Sequence, residues 1–173
     1  MKTKRMVTLA LMIAISVAIH YLESLIPDIT PVPGFKLGLS NIVSLFVLYY
    51  YGGISFIFVT LVRVLLAGLI STGFSVSFFM SLSGAVLSIV ISLLLYYGLK
   101  TSIFSLSITS ALFHAIGQLI AYALFFMTPY IFVYLSVLGP LSMLTGLLSA
   151  VLVRQLIIRI PYSLLSEEKK RRC

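Results

Sequence analysis

The stretch Met6–Ile26, MVTLALMIAISVAIHYLESLI, decides the class of fold. A helix needs about 20 predominantly apolar residues to cross the hydrocarbon core of a bilayer, and this stretch meets that length. It is too long for the apolar part of a secretory signal peptide, and it is a poor match to a small-residue cleavage site. Pro27 and Asp28 follow and end the apolar run. We therefore predict that Met6–Ile26 is a transmembrane helix.

The composition of the whole chain extends this prediction. Of its 173 residues, 61% are hydrophobic and 9% are charged, and the mean hydropathy is +1.18. Soluble domains are about half apolar and about a quarter charged. This composition leaves no room for a separate water-soluble domain, so the chain is predicted to be an all-α integral membrane protein.

Glycines, prolines and polar residues divide the chain into six apolar runs, which predict a six-helix transmembrane bundle. The second run is short, so an alternative treats residues 39–70 as one re-entrant or broken unit. Gly139-Pro140 predicts a kink or a break in the sixth run. A single transmembrane domain is expected over residues 1–165, followed by a basic tail over residues 166–173. The predicted spans cover about residues 6–26, 39–51, 54–70, 76–97, 103–127 and 135–158.

The net charge of +8 is spread along the chain rather than gathered on one face, so no nucleic-acid partner is expected. Basic residues precede the first span, follow the fourth and surround the end of the sixth, which is the positive-inside pattern of cytoplasmic segments. Six spans place both termini on that side. We predict a multi-pass protein of the plasma membrane with both termini cytoplasmic. Its tail would contact anionic membrane lipid.

Arg63 is the clearest candidate for chemistry, because it lies in the middle of the third span. A charged side chain there costs roughly 2.5–3.5 kcal/mol on insertion scales, so it should face protein or a water-filled cavity. The guanidinium could bind a carboxylate or phosphate. Alternatively, backbone carbonyls near Gly52-Gly53 or Gly68 could satisfy it. Glu23, near the outer end of the first span, could pair with Arg63, contact a substrate or lie among headgroups.

His114 and Gln118 are four residues apart in the fifth span and therefore share one helix face. Gly117 lies between them and makes the helix thinner at that point. Two polar side chains turned the same way in lipid face either a cavity or a neighbouring helix. No second histidine or carboxylate lies nearby in the sequence, so no metal site and no cofactor are expected.

The loop after the first span carries two prolines that fix its direction and two glycines that permit unusual backbone angles. Such a loop can be a lid over a binding site or only a tight connection. Lys36 in this loop could neutralise an anionic ligand, and Asn41 could cap the next helix or reach the ligand. The residues assigned to a gating loop are Pro33, Gly34, Phe35 and Gly38.

Ala10, Ala14 and Ala18 recur every fourth residue of the first span and form one narrow face, called here the alanine face. Another helix can approach such a face closely. The spacing alone leaves two alternatives, docking to a separate partner and packing against another helix of the same chain.

Four motifs in order resemble the Gx transporter family, whose members are often labelled heptaprenyl diphosphate synthase component I. They are PGFKLGLSNIV at residues 33–43, RVLLAG at 63–68, SLSGA at 81–85 and FHAIGQ at 113–118. One departure is Ala115, where a polar Asn would be expected. That family is in turn similar to the substrate-binding S components of energy-coupling factor (ECF) transporters of bacteria.

The resemblance implies a six-helix membrane subunit that binds a small solute near its outer face. Such a subunit docks through an alanine face of its first helix onto a transmembrane coupling subunit, which cytosolic ATPases drive. The resemblance thus assigns docking to Ala10, Ala14 and Ala18, and gating to the first loop. The residues expected to bind the substrate are Arg63, His114, Gln118, Lys36, Asn41 and Glu23.

Three functions compete at this stage. The first is an uptake subunit for an anionic or amphipathic metabolite, with no catalysis of its own because the chain lacks a phosphate-binding Gly-x-x-x-x-Gly-Lys loop. The second is a non-catalytic membrane partner of a prenyl diphosphate synthase. The four acidic residues of the chain cannot form the paired Asp-rich motifs that hold Mg²⁺ in such enzymes. The third is a stand-alone channel or carrier, proton-linked through Glu23 and His114.

Overall fold

The computed structural model of the chain describes residues 2–25 and 40–159. Every element in those two ranges is a helix, and we number the six α-helices α1 to α6. Two of them end in a π-helical turn, and a 3₁₀ helix precedes the last. Their bounds are α1 Lys2–Leu25, α2 Ser40–Tyr51, α3 Gly53–Ala67 with the π-turn Gly68–Thr72, α4 Val76–Leu93 with the π-turn Leu94–Leu99, α5 Ile103–Phe126, the 3₁₀ helix Pro129–Tyr134 and α6 Leu135–Arg159.

Five of these helices are long and apolar enough to cross a membrane, which confirms the prediction of an all-α membrane bundle. The exception is α2, whose 12 residues span only about 18 Å at a rise of 1.5 Å per residue. That length is well short of the hydrocarbon core of about 30 Å. The predicted domain limit at residue 165 and the predicted tail lie outside the described residues.

The sequence allowed two interpretations of residues 39–70, and the described part, from residue 40 on, forms two helices that fold back on each other at Gly52. This glycine has a φ of 83°, a left-handed backbone angle that residues with a Cβ rarely adopt. Asn41 and Arg63 lie at equal distances before and after it, and a hydrogen bond of 3.1 Å joins their side chains. Thus α2 and α3 form a hairpin with one short arm.

One end of the bundle gathers the start of α1, the α2–α3 turn, and the ends of α4 and α6. Arg5 donates to the hydroxyl of Ser55 at 2.9 Å, and the hydroxyl of Tyr97 accepts from the backbone of Gly53 at 3.0 Å. The hydroxyl of Tyr50 donates to the carbonyl of Ile157 at 3.2 Å. The described chain therefore begins and ends at the same end of the bundle. The predicted cytoplasmic position of that end stays a prediction.

Of the two alternatives predicted at Gly139-Pro140, a kink and a break, the break is wrong, because α6 continues through Pro140 to Arg159. Proline lacks a backbone N–H and crowds the preceding turn, so it is best tolerated close to a helix start. Pro140 lies in the second turn of α6, immediately after the 3₁₀ helix, where few backbone hydrogen bonds precede it.

Small residues let α4, α5 and α6 pack at close range. A Cβ added to Gly117 on α5 would lie 2.8 Å from the Cα of Gly84 on α4, so the two backbones touch. A Cβ added to Gly146 on α6 would lie 2.9 Å from the Cα of Ile108. The hydroxyl of Ser107 donates to the carbonyl of Gly146 at 2.7 Å. Close contact and interhelical hydrogen bonds are the main forces that hold helices together in lipid.

A buried serine cluster between α4 and α5 tests this account of packing. Ser110 bonds the hydroxyl of Ser88 at 2.7 Å and that of Ser92 at 2.9 Å. We expect Ser110→Ala to lower the melting temperature of the purified protein by the equivalent of about 1–2 kcal/mol, since interhelical bonds contribute about 0.6 kcal/mol each and at most about 1.7. The control is Ser136→Ala, an exposed serine whose hydroxyl donates to the nearby carbonyl of Val133 in the 3₁₀ helix just before α6. Equal melting temperatures for the two variants would contradict the packing role.

Candidate functional site

Arg63 occupies the middle of α3 and is almost fully enclosed, with 2% of its surface exposed. Its Nη2 donates to the Oδ1 of Asn41 at 3.1 Å. Its Nε and Nη1 are buried and have no hydrogen-bond partner among the described residues. The structural alternative, in which backbone carbonyls satisfy the guanidinium, therefore fails for these two nitrogens within the described chain.

A small polar cavity of about 20 Å³ lies against Arg63 inside the bundle. Its volume is close to the space that one water molecule requires. Five helices contribute to its wall, and all but one of the lining residues have a polar side chain. They are His20 and Glu23 from α1, Ser40 and Asn41 from α2, Arg63 and Val64 from α3, Ser81 from α4, and His114 and Gln118 from α5.

The cavity holds opposite charges. Glu23 is 6% exposed, and its carboxylate attracts the guanidinium of Arg63. It is the only acidic residue in the ranges 2–25 and 40–159. His114 lies close enough to Arg63 for the two to interact electrostatically. Charges taken out of water cost several kcal/mol each unless they are paired and hydrogen-bonded, so this arrangement is expensive to maintain.

The close contact of α4 and α5 positions the two polar side chains of α5. Gly84 and Gly117 have no side chains at the crossing, so His114 and Gln118 project past α4 toward Arg63. The Nδ1 of His114 is buried without a hydrogen-bond partner in the described part of the chain. The hydroxyl of Ser83 donates to the carbonyl of Gly117 at 2.9 Å and fixes the contact.

The structure brings together most of the residues predicted to bind a substrate. Lys36 and the gating-loop residues Pro33, Gly34, Phe35 and Gly38 lie outside the described residues. No group of three His, Cys, Asp or Glu side chains within the described ranges is arranged to hold a metal ion. The predicted residues that line the one cavity are Arg63, His114, Gln118, Asn41 and Glu23.

Sequence analysis missed three polar residues of the cavity, His20, Ser40 and Ser81. A signal existed for His20, because it lies three residues before Glu23 and therefore on the same face of α1. Ser40 and Ser81 each lie inside a motif on which the family resemblance was based. Neither stood out, since serines are common wherever membrane helices pack closely.

The alanine face points away from the bundle. Ala10, Ala14 and Ala18 are exposed, and α1 is the least buried of the five long helices. The face forms one wall of an apolar groove of about 520 Å³, whose other wall includes Leu66 and Ile70. Packing against another described helix therefore does not account for the alanine spacing.

These observations define the class as a multi-pass α-helical membrane protein with a charged polar cavity inside the bundle and a small-residue groove on its surface. The chain belongs to the heptaprenyl diphosphate synthase component I family, whose model matches residues 12–156. The match covers every described residue of the cavity and confirms the family expected from the four motifs. No curated protein and no solved structure matches the sequence.

Proposed function

We propose that this protein is the substrate-binding membrane subunit of an ATP-driven uptake transporter, similar in role to an ECF S component. The substrate is a small anionic or amphipathic metabolite. The observation that carries the proposal is the pair of buried Arg63 nitrogens, Nε and Nη1, that lack a hydrogen-bond partner in the described chain and adjoin a polar cavity. No catalysis by the chain itself is proposed.

The free-energy cost of burying unsatisfied donors of Arg63 favours a ligand at this residue. An unsatisfied buried donor costs about 1–3 kcal/mol, and more when the group is charged. A protein that needed the two cavity charges only for packing would often be at least as stable with apolar residues of similar volume in place of both Arg63 and Glu23. An anion that accepts hydrogen bonds from the guanidinium would remove this penalty. Asn41, Gln118 and His114 would provide additional hydrogen bonds to it.

The cavity volume sets a condition on binding. About 20 Å³ accommodates roughly one water molecule, so a metabolite enters only when the surrounding helices move apart. Small-molecule sites typically occupy about 300–1,000 Å³. On this proposal, the structure would correspond to a closed state of the binding protein. The family resemblance assigns gating to the first loop, so Lys36 and the gating-loop residues would take part in that movement.

The alanine face supports the proposed partner. A transmembrane coupling subunit would insert a helix into the groove beside Ala10, Ala14 and Ala18, because small residues allow close backbone contact in lipid. The coupling subunit would connect to cytosolic ATPases, since the chain has no nucleotide-binding loop of its own. This arrangement places the protein in the plasma membrane with the Arg5 and Arg159 end in the cytoplasm.

Affinity purification of the tagged protein from its native membranes tests this proposal. We expect the wild-type protein to retain a transmembrane coupling subunit and ATPases, and we expect Ala14→Leu to lose most of both, because the leucine side chain fills the groove. Val86→Leu is the control, since Val86 is half-exposed on α4 and does not line the groove. Mass spectrometry measures the retained subunits and identifies any bound metabolite.

Retention of a prenyl diphosphate synthase with no ATPase would contradict the transporter proposal. Equal retention of the coupling subunit and ATPases by wild type and Ala14→Leu would instead remove only the alanine face from the docking surface.

The family description favours a second candidate function. Heptaprenyl diphosphate synthase component I names a subunit of a prenyl transferase assembly, and the chain would then be its non-catalytic membrane partner. Its four acidic residues are too few for the paired metal-binding motifs of the catalytic subunit. In this case the groove and Arg63 would bind a lipid diphosphate or recruit the synthase. The purification above distinguishes the two candidates by the partner recovered.

A further inference from the structure

The charges around the cavity come close to balance before any ligand binds. Among the described residues, Arg63 supplies one permanent positive charge and Glu23 supplies one negative charge. His20 and His114 also line the cavity and can each accept a proton. The lining residues of α2 and α4 are Ser40, Asn41 and Ser81, none of which titrates near neutral pH.

An anionic ligand upsets this balance. When the anion binds at the guanidinium of Arg63, this one positive charge faces both the anion and the carboxylate of Glu23. The cavity then contains two negative charges and one positive charge in a region enclosed by apolar helices. A buried charge that stays uncompensated costs about 3–5 kcal/mol.

We propose that an anion binds at Arg63 together with one proton, and that Glu23 takes up that proton. The proposal rests on the proposed function, because it assumes an anionic ligand at Arg63. A neutral carboxyl group restores the charge balance, and it can donate a hydrogen bond to the bound anion. The ligand then enters the membrane interior with no net charge added to the protein.

The number of buried charges favours Glu23 over the histidines as the proton acceptor. Protonation of Glu23 leaves two charges in the cavity, the anion and Arg63. Protonation of His20 or His114 would balance the total equally well but would leave four charges. Each charge withdrawn from water carries its own desolvation cost of several kcal/mol, so the arrangement with fewer charges is the more stable.

Formate is a suitable probe, because it is the smallest carboxylate and stays ionised at neutral pH. We would measure its apparent affinity for the full-length protein in lipid nanodiscs from thermal stabilisation, at constant ionic strength between about pH 6 and pH 8. Uptake of one proton strengthens binding about tenfold for each unit by which the pH falls. We expect this slope for the wild type and a flat profile for Glu23→Gln. His114→Gln removes a competing proton acceptor; it lowers the affinity for formate, because His114 lines the site, but should keep the slope.

A direct count of protons makes the test independent of variant folding. Formate added to the wild-type protein in weakly buffered solution should raise the measured pH by the equivalent of about one proton per bound formate. Binding without proton uptake would overturn the coupling and leave the anion site intact. A slope lost in His114→Gln but kept in Glu23→Gln would overturn the assignment to Glu23. Absence of formate binding, equal in wild type and Arg63→Gln, would instead contradict the proposed function.

Discussion

Replacing Arg63 by glutamine is expected to reduce the affinity for the transported metabolite by at least about thirtyfold. Removing one member of a buried, hydrogen-bonded charge pair typically costs about 2 kcal/mol or more of binding free energy. The Arg63→Gln variant keeps a polar side chain of moderate length, so the loss would report the charge and the lost donors rather than a large void. The measurement is the amount of co-purified metabolite per mole of protein, determined by mass spectrometry.

Two controls separate a binding role of Arg63 from a structural one. Arg154→Gln makes the same chemical change at an exposed arginine that stacks on Phe104, and it should keep full binding. The double variant Arg63→Gln with Glu23→Gln removes both cavity charges together and so leaves no uncompensated buried charge. It should melt near the wild-type temperature and still fail to bind. Full metabolite recovery in Arg63→Gln would exclude Arg63 from the site.

Arg63→Lys refines the assignment within the same experiment. Lysine keeps the positive charge but replaces the planar set of five N–H donors by a compact ammonium group. We expect intermediate recovery of the metabolite, above that of Arg63→Gln and below that of the wild type. This order follows if both the charge of Arg63 and the direction of its Nε and Nη1 donors contribute to binding.

Composition and apolar run length were enough to predict the helical membrane bundle, because the hydrocarbon core imposes a minimum length on each crossing. The same criterion left residues 39–70 undecided. The outcome there depended on the backbone angle of Gly52 and on one long-range bond, between Asn41 and Arg63. Hydropathy carries neither kind of information, since it averages over side chains within a single segment.

The sequence identified polar candidate residues on individual helices, but it could not predict that they line one cavity. A spacing of four puts His114 and Gln118 on one face of α5, and a charge at mid-span marks Arg63 as a functional candidate. The sequence does not say that these faces meet, because that depends on the rotation of each helix about its axis. For the same reason, the sequence could not decide whether the alanine face points into the bundle or away from it. Ser81 gave no signal of its own, because serines are common wherever membrane helices pack closely, whereas the spacing of three between His20 and Glu23 could have nominated His20.

Gly117→Ala is expected to lower both the stability and the metabolite binding of the protein. The new Cβ would lie 2.8 Å from the Cα of Gly84 and from the carbonyl oxygen of Ser83, and backbone atoms cannot turn away as a flexible side chain can. The helices α4 and α5 must therefore separate or rotate. Overpacking of this kind costs typically about 1–3 kcal/mol. The movement would also displace His114 and Gln118, which flank the crossing.

The matched control is Gly98→Ala near the end of α4, where an added Cβ meets nothing within 4 Å. It makes the same change in helix propensity without the contact, so its melting temperature should equal or slightly exceed that of the wild type. The two glycine variants are compared by thermal unfolding and by metabolite recovery from the same preparations. A melting temperature of Gly117→Ala equal to that of Gly98→Ala would show that α4 and α5 are not in backbone contact. Lower stability with full metabolite recovery would show instead that the site does not depend on the spacing of these two helices, and His114 and Gln118 would then lose their place in it.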